Sequence, residues 1–285
     1  MNGSNYFPNL WFSEIHKDHY GICLRIRETL YQKQSQYQFI EVLETFSFGR
    51  LLVLDGAIML TERDEFVYHE MLAHVPLCAH PEPRNVLIIG GGDGGTLREV
   101  LKHPSVRRVD LVEIDEEVVE ASRKFFPGLS AGLDDPRAQV LIQDGIEFVR
   151  QRKGEYDSIL VDSTDPVGPA VGLFEDSFYR SLHLALRPDG VLSMQCGSPF
   201  FNSRFVGENQ NRLSAIFPRV ATYVAPIVTY PGGFWAFNFA GKKYGPLDDG
   251  YAERFDQREL KTQYITPGVH QAAFQLPRYI KDLVK

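Results

Sequence analysis

Alternation is the first pattern the chain shows. From Tyr20 to Arg27, Ile22, Leu24 and Ile26 fall on one face and Cys23, Arg25 and Arg27 on the other, a period of two that predicts a half-buried strand. Tyr37 to Leu43, rich in β-branched and aromatic side chains, predicts a second. Arg50–Leu54 and Ala57–Leu60 flank Asp55-Gly56, a dipeptide that enters a positive-φ hairpin turn at low cost. These strands predict a small antiparallel β domain over residues 1–64. Thr61 and Asp64 then offer a capping pattern for a helix running through Phe66 and Met71 towards Pro76.

From Asn85 strands and helices alternate. Val86–Ile89 precedes Thr96–Lys102, Val109–Glu113 precedes Glu116–Phe125, and Gln139–Ile142 precedes Ile146–Arg150. Asp157–Val161 and Asp176–Leu186 follow, and Val191–Gln195 ends the series. That order predicts right-handed crossovers and an α/β, doubly wound, mostly parallel sheet of Rossmann-like type over residues 65–285. Arg219–Val228 and Phe234–Ala240 predict closing strands, and Val269–Val284 a terminal helix interrupted by Pro277. No repeat or low-complexity tract interrupts the series.

With 285 residues, 44% hydrophobic and 24% charged, the chain can bury a large core. Its apolar stretches are far shorter than a membrane span, and the polar start Met1–Asn5 lacks a signal pattern, so a cytoplasmic protein with no membrane partner is expected. Cys23, Cys78 and Cys196 each fall inside an apolar pattern and read as small buried hydrophobes. The histidines have no HExxH or CxxC company, and His69, His74 and His80 lack a shared ligand spacing, so no metal is expected. The charge of −7 argues against nucleic acid and suits a cationic ligand, though charge alone decides little.

The strand ending at Ile89 runs into Gly90-Gly91-Gly92-Asp93-Gly94-Gly95 and a helix, with Glu113 roughly twenty residues on at the end of the next strand. Such glycines let backbone approach a nucleotide, and the acidic residue can accept both ribose hydroxyls. Asp93 narrows the ligand: a carboxylate about 4 Å from a phosphate charge costs roughly 4 kcal/mol at an effective dielectric near 20. A ligand offering an amine and a sulfonium is attracted instead, and one lacking the carboxylate of S-adenosylmethionine fits better still. Asp93 capping the following helix is the bland alternative.

Ligands of open α/β sheets sit outside the carboxyl ends of the strands, and there the chain places Glu113, Asp144 and Asp162. Asp144-Gly145 either receives the exocyclic amine of an adenine or caps a helix. Asp162 opens Asp162-Ser163-Thr164-Asp165-Pro166-Val167-Gly168-Pro169, which brings two carboxylates to the cleft mouth or forms an ordinary Asx turn. Two carboxylates beside a sulfonium suit an amine nucleophile. An alkylamine is almost wholly protonated at pH 7 and must lose a proton before attack, so kcat/KM is expected to climb above pH 7.

GGGDGG at Gly90–Gly95, VEID at Val112–Asp115, DG at Asp144-Gly145, DSTDPVGP at Asp162–Pro169 and TERDEFVYHEML at Thr61–Leu72 together resemble the spermidine synthase family. The resemblance runs from about Tyr20 nearly to the C-terminus. It implies transfer of an aminopropyl group from decarboxylated S-adenosylmethionine, as co-substrate, to a small diamine such as putrescine, with no permanently bound cofactor. It also implies a homodimer or homotetramer. By the same resemblance Gln38, His69 and Asp93 contact the aminopropyl side, Glu113 the ribose, and Asp144 with Gly145 the adenine. Asp162 is the implied general base and Asp165 the holder of the substrate ammonium. Tyr68 and Tyr230 line the diamine channel, and Pro169 belongs to a loop closing over the nucleotide. On residue type alone Tyr68 and His69 read as packing.

The chain departs from the family pattern at Ile227–Trp235. Proline is missing there before Thr229-Tyr230, and bulky Phe234 and Trp235 either reshape the far end of the amine pocket, which opens cadaverine and agmatine as acceptors, or are core residues of a closing strand. A methyltransferase using S-adenosylmethionine would share the glycine turn, Glu113 and Asp144, but has no use for Asp93 with Asp162 and Asp165. A non-catalytic descendant would be expected to have lost Asp162 or Tyr68, and both are present.

Overall fold

A computed structural model describes residues 9–16, 18–166 and 168–285. Five strands form an antiparallel meander in sequence order: β1 (Leu10–His16), β2 (Tyr20–Gln34), β3 (Phe39–Thr45), β4 (Arg50–Leu54) and β5 (Ala57–Thr61). The chain then enters α1 (Glu65–Ala79), β6 (Asn85–Gly90), α2 (Gly95–Leu101), β7 (Arg108–Glu113), α3 (Glu116–Phe125), α4 (Pro127–Ser130) and β8 (Ala138–Ile142). There follow α5 (Gly145–Arg150), β9 (Tyr156–Asp162), α6 (Asp176–Ala185), β10 (Leu186–Gln195), α7 (Ser203–Ser214), β11 (Arg219–Pro226) and β12 (Phe234–Gly241). Three short helices close the chain: α8 (Tyr251–Gln257), α9 (Pro267–Ala273) and α10 (Arg278–Lys281).

The second sheet has the strand order β11-β12-β10-β9-β6-β7-β8. The five strands from β10 to β8 are parallel, and β12 and β11 add an antiparallel edge. The chain winds outwards in both directions from β6 and β9, so the topological switch point lies between them. There Gly90 pairs with Asp162. Gly90 has φ +80°, and a Cβ on it would stand 2.0 Å from the Asp162 carbonyl oxygen, so only glycine lets the two strands meet this closely.

Ile40, Val42, Leu52, Leu54 and Leu60 of the first sheet pack on Val118, Ala121, Phe126 and Leu129 of α3 and α4. Burying each of the larger side chains contributes about 1.5–3 kcal/mol, which fixes the small sheet as one wall of the cleft. On the other side of the cleft, nearly every residue of α1 is buried. Such a helix is apolar or internally paired all round.

Several expectations shift. The strand β1 was not foreseen, because Leu10–His16 carries Trp11 and Ile15 on the solvent side and Glu14 on the inner one. Cys23 is exposed, with its Sγ 3.2 Å from Ser13 Oγ, because it lies on the outward face of β2; Cys78 and Cys196 are buried. Helix α1 does not stop at Pro76 but runs to Ala79. Proline removes one donor near the end of a helix whose packing holds it. The terminal helix is two short pieces, α9 and α10, broken before Pro277. The polar, glycine-containing α7 and the short α8 were not read from the sequence. Among the described residues no helix is long and apolar enough to cross a membrane.

Candidate active site

A cavity of about 270 Å³ opens at the switch point between the two sheets. The glycine turn forms its floor. The N–H of Gly91 donates to the Asp162 carbonyl at 2.9 Å, and the N–H of Gly92 to Glu113 Oε2 at 3.1 Å. The other Glu113 oxygen accepts from Asp115 N at 3.0 Å. Burial pushes the Glu113 carboxyl up to about 7 despite these donors.

Asp93 leaves the turn towards helix α1. Its Oδ1 accepts from Gly95 N at 2.7 Å and lies 3.3 Å from His69 Nε2, while His69 Nδ1 lies 2.6 Å from Glu65 Oε2. The guanidinium of Arg98 holds both Glu65 oxygens at 2.9 Å. An imidazole facing a carboxylate at each nitrogen is satisfied only when doubly protonated. Burial opposes that charge, yet Asp93 and Glu65 hold His69 well above its usual range. Burial likewise opposes the Asp93 charge, and the His69 cation with the Gly95 N–H keeps that carboxyl below its ordinary value. A Cβ on Gly95 would stand 2.3 Å from the His69 ring, so glycine is what lets the ring reach Asp93.

Asp162 ends β9. Tyr68 donates to its Oδ1 at 2.8 Å and Thr96 to its Oδ2 at 2.6 Å. Burial first, and repulsion from Asp93 second, push its carboxyl up to about 6, against the His69 charge and these two hydrogen bonds. The adjacent carboxylates are thus driven apart, Asp93 towards permanent ionisation and Asp162 towards basicity near neutral pH. Tyr68 and Tyr230 are raised well above 10 by burial and then by the charge of Asp162, so both remain hydrogen-bond donors.

The remaining wall carries Asp144, Gln38 and Tyr230. Asp144 Oδ1 accepts from Ile146 N at 2.7 Å and Glu147 N at 3.3 Å, so the residue caps α5 while it also lines the cavity. The Gln38 amide donates to Asp115 Oδ2 at 2.9 Å. That bond anchors the Gln38 side chain in the wall of the same cavity that His69, Asp93 and Glu113 line. The Tyr230 hydroxyl donates to Met59 O at 2.5 Å, and its ring packs edge-on to Tyr68 and to Trp235.

Gln38, Tyr68, His69, Asp93, Glu113, Asp144, Gly145, Asp162 and Tyr230 all line this one cavity. Asp165 does not. It lines an adjoining cavity with His16, Phe201 and Asn202, and its Oδ1 is buried with no donor at hydrogen-bond distance. Burial raises the Asp165 carboxyl, and Glu14 nearby is raised by burial and by the Asp165 charge. Pro169 falls in the 3-10 turn Gly168–Phe174; its side chain, and Val167 as a whole, lie outside the described residues. Trp235 backs Tyr230 from the core, and Phe234 is partly exposed; neither lines either cavity. Sequence reading also missed Thr96, Glu65 and Arg98, and the apolar wall of Leu52, Leu54 and Met59.

The ligating atoms of His69, Asp93 and Asp162 lie within 4.8 Å of one another. Such a group could surround a small cation, although both His69 nitrogens already face carboxylates. Asp162 and Asp93 form an anionic corner at one end of the cavity, and Glu113 with Asp144 a hydrogen-bonding corner at the other.

Residues 65–249 match the spermine/spermidine synthase domain, and residues 10–62 match the spermidine synthase tetramerisation domain. The chain belongs to the spermine/spermidine synthase family. A polyamine aminopropyltransferase of Moorella thermoacetica is 48% identical over 276 residues, covering 97% of this chain and 96% of that protein. Its counterpart in Bacillus subtilis is 46% identical, covering 97% and 99%. Among solved structures, a spermidine synthase bound to the transition-state analogue AdoDATO superposes with TM-score 0.95 at 42% identity, covering 97% of this chain and 95% of that one. Spermidine synthase from Thermotoga maritima gives 0.92 at 41% identity, covering 97% and 94%. This member of the family is an aminopropyltransferase, and the mostly parallel sheet behind a five-stranded antiparallel one is the fold it shares with those structures.

Proposed function

We propose that the protein is a spermidine synthase, transferring the aminopropyl group of decarboxylated S-adenosylmethionine to putrescine. The observation that carries this reading is the pairing of Asp93 with Asp162 at the cavity's anionic corner, one held ionised and one poised near neutrality. The donor's ammonium belongs at Asp93, its ribose at Glu113 and its adenine at Asp144 and Gly145. A relative's binding of AdoDATO, described as a transition-state analogue, supports a donor in this cavity.

In the reaction the acceptor nitrogen, once free of a proton, attacks the methylene next to the sulfonium. The new C–N bond forms as the C–S bond breaks, and the bonding pair returns to sulfur as neutral 5′-methylthioadenosine. Asp162 accepts the nitrogen's proton and later releases it to solvent. A base near 6 is mostly ionised at pH 7.5 and can still hold a proton for the instant of transfer. The putrescine nitrogen remote from the reaction is held at Asp165, whose unpartnered Oδ1 lacks only such a donor. No metal or resident cofactor enters these steps.

Residues 1–64 act as the assembly domain and 65–285 as the catalytic one in a cytoplasmic homo-oligomer. The match of 10–62 to a tetramerisation domain supports this, as do the exposed Leu10, Trp11 and Ile15 on edge strand β1. The test is a product assay with decarboxylated S-adenosylmethionine and putrescine, cadaverine, agmatine or spermidine. 5′-Methylthioadenosine formed fastest with putrescine is expected. Preference for another amine would move the acceptor, and methyl transfer from ordinary S-adenosylmethionine would overturn the reading.

A further inference from the structure

Thr96 stands in the first turn of α2, immediately after the glycine run, and is fully buried. Its hydroxyl donates to Asp162 Oδ2 at 2.6 Å, a short, charge-assisted contact. The two residues are 66 positions apart, brought together because α2 starts where β6 ends and β9 runs beside β6. Tyr68 holds the other carboxylate oxygen, so the pair of hydroxyls fixes the plane of the carboxylate above the glycine turn. The charged and titratable groups sharing the cavity with Asp162 are Tyr68 and His69 on α1, Asp93 in the turn, Tyr230 in the loop before β12, and Glu113 and Asp144 at its other end. Among the described residues Tyr68 and Thr96 are the two side-chain hydroxyls that donate to Asp162, and Thr96 alone holds Oδ2.

We propose that Thr96 is a positioning residue for the transfer, orienting the Asp162 carboxylate through Oδ2 and favouring its ionised form, so that it stays a proton acceptor down to mildly acid pH. This rests on the reading of Asp162 as the general base. A hydroxyl donor stabilises the carboxylate but not the neutral acid, so its loss makes Asp162 easier to protonate. A hydrogen bond to a charged group is equivalent to about one pH unit.

The test is Thr96→Val, which keeps the shape and removes the donor, with Thr96→Ala as a second donor-free variant and Thr96→Ser as the conservative rescue. Two readouts are taken. The first is the ratio of variant to parent kcat/KM across pH 5.5–9, in which ionisation of the amine cancels. Thr96→Val is expected to lose roughly fivefold at pH 6 and less than about twofold above pH 8, with Thr96→Ser close to parent. The second is titration of the Asp162 carboxyl by carbon-13 NMR, its signal assigned by its loss in Asp162→Asn. An upward move of about one unit in Thr96→Val or Thr96→Ala, reversed in Thr96→Ser, supports the proposal. A pH-independent activity ratio, an unmoved midpoint, or a Ser variant as displaced as Val overturns it. Absence of 5′-methylthioadenosine from the parent protein would sink the proposed reaction, while the NMR titration would still decide what Thr96 does to Asp162.

Discussion

Two carboxylates of similar intrinsic strength take different roles because of what touches them. Asp93 meets an imidazolium and a backbone N–H; Asp162 meets two neutral hydroxyls and its neighbour's charge. Asp162→Asn keeps the shape and removes the acceptor, so kcat is expected to fall on the order of a thousandfold. Binding of 5′-methylthioadenosine, followed by calorimetry, should stay within about twofold, since the proposed nucleoside contacts are Glu113, Asp144 and Gly145 rather than Asp162; a parent-like rate would refute the base assignment. On the proposed reading Glu113 must be ionised to accept two ribose hydroxyls, and burial has raised it to about 7. Nucleoside affinity should therefore strengthen as pH rises from 6 to 8 in the parent and be flat in Glu113→Gln, read by calorimetry across that range. The acidic residues that end strands were legible in sequence because strand period and the glycine turn fix where the carboxyl ends lie. Thr96 and Arg98 were not, because each reaches the site through a partner 66 or 33 residues away, and Glu65 was not, because its i,i+4 contact with His69 looks in sequence like any helix-face pair. Nothing local distinguishes such a threonine from a packing residue.

At the scale of elements, α1 directs successive residues to different ends. Tyr68 reaches Asp162, His69 reaches Asp93, and Glu70 accepts the backbone N–H groups of Gln263, Tyr264 and Ile265 at 2.6, 2.9 and 2.8 Å. Glu70→Ala leaves those donors unpaired and should destabilise the protein by about 3 kcal/mol, read as a lowered urea midpoint. Asp64, expected to cap α1, makes no cap bond with its side chain. It instead holds Thr229 through N at 3.0 Å and Oγ1 at 2.7 Å, tying down the loop that carries Tyr230. Asp64→Ala should raise KM for the amine about tenfold and leave donor KM unchanged; equal changes in both would refute the link. The strands and helices flanking the site were readable because their patterns are strongly periodic. α7 was not, since its buried face includes Gly207 and Asn209, and Gly207 is there because a Cβ would meet Leu283 O at 2.6 Å. In the terminal segment the predicted interruption at Pro277 is wider than one residue: α9 ends at Ala273 and Pro277 caps the start of α10.

For the whole molecule, the edge strand β1 and the site have separate tests. Trp11→Glu should dissociate the oligomer in sedimentation velocity, since it sets a charge on an exposed apolar edge. The raised Glu113 carboxyl binds protons in the folded chain that the unfolded chain has already released between about 4.5 and 7. Its contribution therefore weakens as pH rises through that window. The lowered His103 and His270 act oppositely, adding stability as pH rises towards 6.5, so the total curve mixes signs. The stability difference between parent and Glu113→Gln isolates the carboxyl. That difference should shift against the parent by a few kcal/mol between pH 4.5 and 7.5, measured by denaturant unfolding without ligand. The pairing of Gly90 with Asp162 has a last consequence. Slipping β9 by one residue against β6 would turn the Asp162 side chain to the opposite face of the sheet. Recovered turnover during refolding is thus a register gauge: a chain that has collapsed with β9 one step out would be compact, strand-rich and silent.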